Sequence, residues 1–92
     1  MFYLIVYDIP ENRRRQKVHS LLTGYGQWVQ YSTFECVLSV QQFAELKRRL
    51  APYLKLDQDS VRFYPVSSHT FGRVEAWGVG PPINPGPQST IV

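Results

Sequence analysis

The sequence predicts a small α+β domain in which two helices cover one antiparallel sheet. This class is predicted because short apolar or alternating segments, typical of strands, are separated by longer segments with apolar residues at helical spacing. The strand-like segments are residues 1–8, 28–31, 34–38, 61–66 and 73–78, and the helix-like segments are residues 12–23 and 41–55. A length of 92 residues suits a single domain.

The first strand is predicted from seven apolar or aromatic residues that end in one carboxylate, Asp8. A run this short and apolar is typical of a strand buried on both faces. Pro10 breaks the pattern two residues later, so we expect Asp8 where the strand leaves the core. An alternative role for Asp8 is to cap the following helix, which is common for Asp at such a junction.

The first helix is predicted over residues 12–23, with Asn12 as its N-cap. Its apolar stripe consists of Val18, Leu21, Leu22 and Tyr25. A cluster of cations lies off this stripe: Arg13, Arg14, Arg15 and Lys17. A carboxylate followed by cations suits a divalent metal on a phosphodiester, because the acid binds the cation and the basic groups neutralise phosphates. The alternative is an ordinary solvated helix face.

The remaining segments complete a β-α-β-β-α-β order, which is the ferredoxin-like arrangement, with one added strand. Residues 27–38 predict either two strands in a tight hairpin, with Ser32 and Thr33 between them, or a single bent ribbon, and residues 41–55 predict the second helix. The added strand over residues 73–78 has no place in the basic fold, so we expect it to join a sheet edge, by exchange within a homodimer. Residues 1–79 form the predicted domain, and residues 80–92 form a proline-rich tail.

Charge, cysteine content and the length of the apolar segments limit the functions that this chain is expected to have. The net charge is +3, and four of the ten Lys and Arg residues fall within residues 13–17, which favours a polyanionic partner. Cys36 is the only cysteine, so it can form no intrachain disulfide and no cysteine-based zinc site. The apolar first segment is too short to span a bilayer and has no basic leader, so we expect no membrane association and a cytoplasmic location.

Several of these segments together resemble the CRISPR-associated protein 2 family. The matching features are the Tyr-Asp-Ile sequence at residues 7–9, the basic run at 13–17, the Tyr-Gly pair at 25–26, the segment at 29–35, and the strands at 62–65 and 73–78. They cover roughly residues 1–78 and leave out only the proline-rich tail. By position, Asp8 matches the family's metal-binding carboxylate, Arg15 and Lys17 match basic helix positions, and Ser32 and Phe34 match a recurring motif.

The resemblance implies a ferredoxin-like homodimer that takes part in the acquisition of CRISPR spacers, a step of antiviral defence. Such a dimer bridges CRISPR integrase subunits and supports duplex DNA. The resemblance also implies a metal-dependent endonuclease, a hydrolase acting on single-stranded RNA or on DNA, with Mg²⁺ bound at a catalytic Asp8. A metal site with one carboxylate per subunit would need Asp8 of both subunits. We expect Arg13, Arg14, Arg15 and Lys17, and also Arg73, to contact backbone phosphates without reading sequence.

Other residues are weaker candidates. His19 and His69 are expected to be structural or solvated, Glu35 to form a surface pair, and Glu11 is near enough in sequence to assist Asp8. We expect the aromatic residues Tyr25, Trp28, Tyr31 and Phe34 to pack in the core or an interface, because their segment lacks the usual RNA-recognition signature. Two other functions stay open: a stand-alone ribonuclease of the toxin type, and a non-enzymatic interaction module of the same fold.

Overall fold

The computed structural model describes residues 1–83 of the chain. Its elements are β1 (Phe2–Asp8), α1 (Asn12–Thr23), β2 (Gln27–Gln30), β3 (Thr33–Val37), α2 (Val40–Leu50), a 3₁₀ turn (Ala51–Tyr53), β4 (Ser60–Val66) and α3 (Ser68–Phe71). Up to β4 this is the predicted βαββαβ order. None of the helices within residues 1–83 is long and apolar enough to cross a membrane.

The four strands form one antiparallel sheet in the order β2-β3-β1-β4. β1 is central: its Ile5 lies opposite Phe34 of β3 on one side and Phe63 of β4 on the other. The two long helices connect β1 to β2 and β3 to β4, so each spans a non-adjacent strand pair. This is the ferredoxin-like topology, and the predicted fold class is confirmed.

The hydrophobic core lies between this sheet and the two long helices. Its buried members are Ile5, Tyr7, Ile9, Val18, Leu22, Phe34, Cys36, Leu38, Leu46 and Leu50. Because side chains alternate along a strand, Leu4 and Val6 lie on the opposite face of the sheet. Both are only half-buried, whereas Ile5 and Tyr7 on the helix side are buried, so the predicted burial of β1 on both faces holds better on the helix side. We call this second surface the open face.

A polar side chain caps the start of each long helix, and the cap of α1 is not the residue predicted from sequence. The carboxylate of Glu11 accepts hydrogen bonds from the N–H groups of Arg13 and Arg14, at 2.8 and 3.0 Å. Asn12 is therefore the first helical residue and not the N-cap. Ser39 caps α2 through a reciprocal capping box with Gln42. α2 ends at Leu50, earlier than predicted, and the proline-containing turn over Ala51–Tyr53 follows.

The chain beyond β4 differs most from the sequence prediction. Residues 73–78 pair with none of the four described strands within the single chain, so the added strand, expected to form by exchange within a homodimer, stays a prediction. A strand requires a neighbouring strand for its hydrogen bonds, and this segment lies against neither edge strand of its own sheet. The short helix α3 replaces part of a predicted loop, and its Phe71 ring lies 4.4 Å from that of Phe2. The proline-rich tail predicted over residues 80–92 is described only to residue 83.

Candidate nucleic-acid and metal site

Asp8 is the last residue of β1 and is exposed. It lies opposite Ser60 at the end of β4, while the next residue, Ile9, is buried in the core. The chain is thus fixed on both sides of Asp8, and its carboxylate faces solvent at one end of the sheet. The expectation that Asp8 marks the exit of β1 from the core is confirmed, whereas capping of α1 falls to Glu11.

Arg15 holds the loop that follows Asp8. Its Nη1 donates hydrogen bonds to the carbonyl oxygens of Ile9 and Pro10, at 3.0 and 3.3 Å, and its Nη2 donates to Oδ1 of Asn12 at 2.6 Å. The guanidinium therefore binds the backbone immediately after the candidate catalytic carboxylate. This arrangement makes Arg15 a residue that positions the Asp8 loop.

Arg14 is paired inside the protein. Its guanidinium donates to both carboxylate oxygens of Asp59, from Nε at 2.9 Å and from Nη2 at 3.0 Å. The backbone N–H of Lys55 donates to the same carboxylate at 2.9 Å. The hydrogen bond from Arg14 is the main cause that lowers the pKa of Asp59, and the same bond raises the pKa of Arg14. A phosphate contact by Arg14 would have to displace this pair.

Arg13 and Lys17 present their cationic groups to solvent. Both side chains are exposed on α1, and neither forms a hydrogen bond or ion pair with residues 1–83. They line an open groove of about 490 Å³ between the two long helices, together with Arg49 and Tyr53. Lys17 Nζ lies 5.9 Å from the Tyr53 ring centroid. We call this basic surface between α1 and α2 the helical groove.

One subunit alone makes a poor metal site. Within the described part of the chain, no group of three or more His, Cys, Asp or Glu side chains could hold a metal ion. Glu11 is engaged as the cap of α1, so it is not a free second ligand beside Asp8. Mg²⁺ usually retains several waters and takes one or two carboxylates plus substrate phosphate. The single exposed carboxylate of Asp8 fits a site of this kind, in which water and substrate supply the other ligands. It does not fit a site in which one chain supplies all the ligands.

The two predicted motif residues have different environments. Phe34 is fully buried in the core, which confirms its packing role and excludes base stacking in the folded chain. Ser32 lies in the β2–β3 turn, and its carbonyl oxygen accepts a hydrogen bond from the N–H of Tyr7 at 3.0 Å. Trp28 and Tyr31 are 51% and 86% exposed, so neither packs in the core of this chain, and their packing in an interface stays a prediction.

Sequence reasoning missed two interactions around the site. Asp59, the buried partner of Arg14, is 45 residues away in sequence and belongs to a segment predicted only as a loop. The Tyr7 hydroxyl lies 3.0 Å from Nδ1 of His19, which places His19 against β1. Burial raises the pKa of Tyr7. No local spacing indicates either interaction, because each joins segments that meet only in the folded chain.

The fold and site define a ferredoxin-like domain with an exposed acid at a strand end and a basic first helix. Residues 1–74 match the model of the family described as CRISPR associated protein Cas2, and the chain belongs to this family. A Synechocystis relative, CRISPR-associated endoribonuclease Cas2 3, is 53% identical over 98% of this chain and 97% of its own. CRISPR-associated endonuclease Cas2 2 of Thermus thermophilus is 47% identical over 86% of this chain and 83% of its own.

Solved structures agree with this assignment. A hypothetical protein from Thermus thermophilus superposes with a TM-score of 0.80 at 44% identity, over 90% of this chain and 96% of that one. Cas2 from Streptococcus pyogenes, crystallised at pH 6.5, superposes with a TM-score of 0.74 at 36% identity, over 85% of this chain and all of the other. The resemblance identified from sequence is thereby confirmed.

Proposed function

We propose that this chain is a nucleic-acid-binding subunit of the CRISPR spacer-acquisition machinery and a metal-dependent endonuclease. The observation that carries the proposal is the exposed carboxylate of Asp8, held at a strand end by a loop that Arg15 fixes. Family membership and the relatives named endoribonuclease or endonuclease support it. Its partners in this role are duplex DNA, a CRISPR integrase subunit and a second copy of the chain, in the cytoplasm.

The open face of the sheet supports a homodimer. It carries the half-buried Leu4 and Val6, and Tyr64, which is 43% exposed. Glu35 also lies on this face, and burial raises the pKa of its carboxyl. Asp8 shares the face with Leu4 and Val6 because side chains alternate along β1. A two-fold axis at this end of the sheet would bring a second Asp8 carboxylate to the first.

In that dimer the two Asp8 carboxylates would hold Mg²⁺ between the subunits. When bound, the ion would activate a water molecule and polarise the phosphate for hydrolysis of a phosphodiester. Water attacks phosphorus, one P–O bond breaks, and the leaving oxygen takes a proton. Arg15 keeps the Asp8 loop in place, while Arg13 and Lys17 neutralise neighbouring phosphates.

Cleavage of labelled single-stranded RNA and duplex DNA, with Mg²⁺ or with EDTA, tests the catalytic part. We expect metal-dependent cleavage that rises with pH, because the attacking water must give up a proton, and that is lost in Asp8→Asn. Asp57→Asn, which makes the same change at another exposed acid, should retain activity. Cleavage retained by Asp8→Asn would remove Asp8 from the mechanism. RNA cleavage without duplex binding would favour a stand-alone ribonuclease.

The salt dependence of duplex binding tests the phosphate-binding role of Arg13 and Lys17. In the double variant Arg13→Ala and Lys17→Ala, the slope of log affinity against log salt should fall by about one for each phosphate that is no longer neutralised. Arg48→Ala, at an exposed cation outside the helical groove, should leave the slope unchanged. If the double variant kept the wild-type slope, these two residues would not bind phosphate.

A further inference from the structure

A second cavity lies on the other side of α1, against the β2–β3 turn. It has a volume of about 390 Å³, and we call it the Trp28 pocket. Its lining includes Arg15, Gln16, His19, Trp28, Tyr31 and Ser32. Two large aromatic side chains therefore line the same opening as a cation, an amide and an imidazole. Neither the candidate metal site nor the helical groove uses Trp28 or Tyr31.

Trp28 is held in place although half of its surface is exposed. Its indole Nε1 donates a hydrogen bond to the carbonyl oxygen of Tyr31 at 2.7 Å. The His19 ring meets it in an edge-to-face arrangement, with ring centroids 5.5 Å apart. His19 is itself fixed by Tyr7, whose hydroxyl lies 3.0 Å from its Nδ1. The exposed indole face is thus preorganised, which limits the conformational entropy that is lost when a flat ligand binds.

Tyr31 occupies a backbone position that is unfavourable for a tyrosine. It follows β2 at the first position of the turn and has a φ of 43°, in the left-handed region. Turns with this geometry favour Gly, Asn or Asp there, because other side chains are strained. The strained tyrosine is also 86% exposed, so burial in the chain does not compensate the strain.

We propose that the Trp28 pocket binds an unpaired nucleotide of single-stranded nucleic acid. Stacking on Trp28 and Tyr31 requires an accessible base face, which a splayed single strand offers and an intact duplex does not. Arg15, held by its hydrogen bonds to the Asp8 loop, places a fixed positive charge beside the pocket that would attract the adjoining phosphate. Gln16 supplies hydrogen-bonding groups for the base edge. The proposal rests on the nucleic-acid binding proposed above and adds a preference for unpaired nucleotides at a defined place.

Fluorescence titration tests this inference directly. In a Trp77→Phe background, Trp28 is the one remaining tryptophan. We expect an oligothymidine single strand to quench its emission, and a blunt duplex of equal length to do so much less. Measured by the fluorescence anisotropy of a labelled strand, which needs no tryptophan, Trp28→Ala should weaken single-strand binding about tenfold and leave duplex affinity unchanged. Tenfold is the size typical of removing one stacked aromatic ring. Leu56→Ala removes an exposed apolar side chain outside the pocket and is the control.

Tyr31→Gly separates a binding role from a structural one. Glycine relieves the strain at this position, so the variant should keep or raise the melting temperature while its single-strand affinity falls. If single-strand affinity is unchanged in both Trp28→Ala and Tyr31→Gly while duplex binding persists, this inference is wrong and the proposed function stands. If the wild type binds no nucleic acid even at low salt, both proposals fail together.

Discussion

The pair of Arg14 and Asp59 ties the first turn of α1 to the segment before β4. The Asp59 side chain is fully shielded, and that of Arg14 is 16% exposed. Removing the Arg14 side chain leaves the shielded Asp59 carboxylate without a counter-charge, with only the Lys55 N–H donating to it, which is more harmful than removing an exposed cation. We expect Arg14→Ala to lower Tm by about 4–8 °C, the shift that a modest loss of folding stability produces in a domain of this size. Arg13→Ala should change Tm little, and thermal unfolding followed by circular dichroism compares the two.

The same pair makes stability depend on pH. Because Arg14 lowers the pKa of Asp59 in the folded chain, this stabilisation is complete above the unfolded value of 3.8 and is lost as pH falls through the lower folded pKa. Glu11 contributes in the same direction, since its cap hydrogen bonds lower its pKa. Melting curves from pH 2 to 6 should show a shallower acid decline for Asp59→Asn than for wild type. Equal declines would assign the acid sensitivity to other carboxylates.

Cys36 provides a residue-level test of the core. Burial is the main cause that raises the pKa of its thiol to about 12, and the neighbouring charge of Glu35 adds to the rise. Thiolate is the reactive form, so native protein should not react with Ellman's reagent at pH 8. One equivalent should react after unfolding in denaturant, because Cys36 is the only cysteine. Rapid reaction of the native protein would place Cys36 outside the core.

Sequence predicted these residues to different extents. The exposure of Asp8 follows from its position at the end of an apolar run. The burial of Phe34 follows from the alternation of side chains along its strand. The pairing of Arg14 could not be predicted, because its partner depends on the fold bringing the segment before β4 to α1. Arg14 and Arg15 looked like free cations in a basic run, and both bind protein groups instead.

At the scale of elements, the turn from α1 into β2 depends on a close approach of two backbones. A Cβ on Gly26 would lie 2.3 Å from Cys36 Sγ and 2.4 Å from the carbonyl oxygen of Glu35. Gly26→Ala should therefore force β2 away from β3 and destabilise the fold by about 1–3 kcal/mol, as overpacking does. Gly24→Ala is the matched control, since its Cβ would be 3.4 Å from the nearest atom outside its chain neighbours. Urea unfolding of both variants measures the difference.

The elements themselves were largely predictable, since periodicity within each segment reflects one side facing the core. The helix cap at Glu11 was displaced by one residue from the prediction, because the first turn begins at Asn12. For the segment over residues 73–78, periodicity alone does not decide the structure. Its alternation is that of a strand, but a strand also needs a partner, and a single sequence does not say which chain provides it.

At the scale of the whole molecule, two surfaces of the described chain expose apolar side chains that a second chain would cover. The open face leaves apolar groups of β1 half-buried. The segment after α3 exposes Val74, Trp77 and Val79, at 38%, 88% and 104% of their full exposure. β2 and β4 are both edge strands of the described sheet and have unpaired backbone groups on one side. A second copy of the chain could cover the open face and supply an edge for the segment at 73–78.

We therefore expect the protein to run at about twice the mass of one chain in size-exclusion chromatography with light scattering. Val6→Lys places a charge on the open face without touching the helix-side core, so it should yield a folded monomer. Val40→Lys, at a residue that is 84% exposed at the start of α2, should remain dimeric. Because the proposed metal site needs Asp8 from both subunits, the Val6→Lys monomer should also lack metal-dependent cleavage. A monomeric wild type with full cleavage would show that one Asp8 suffices and that the shared site is wrong.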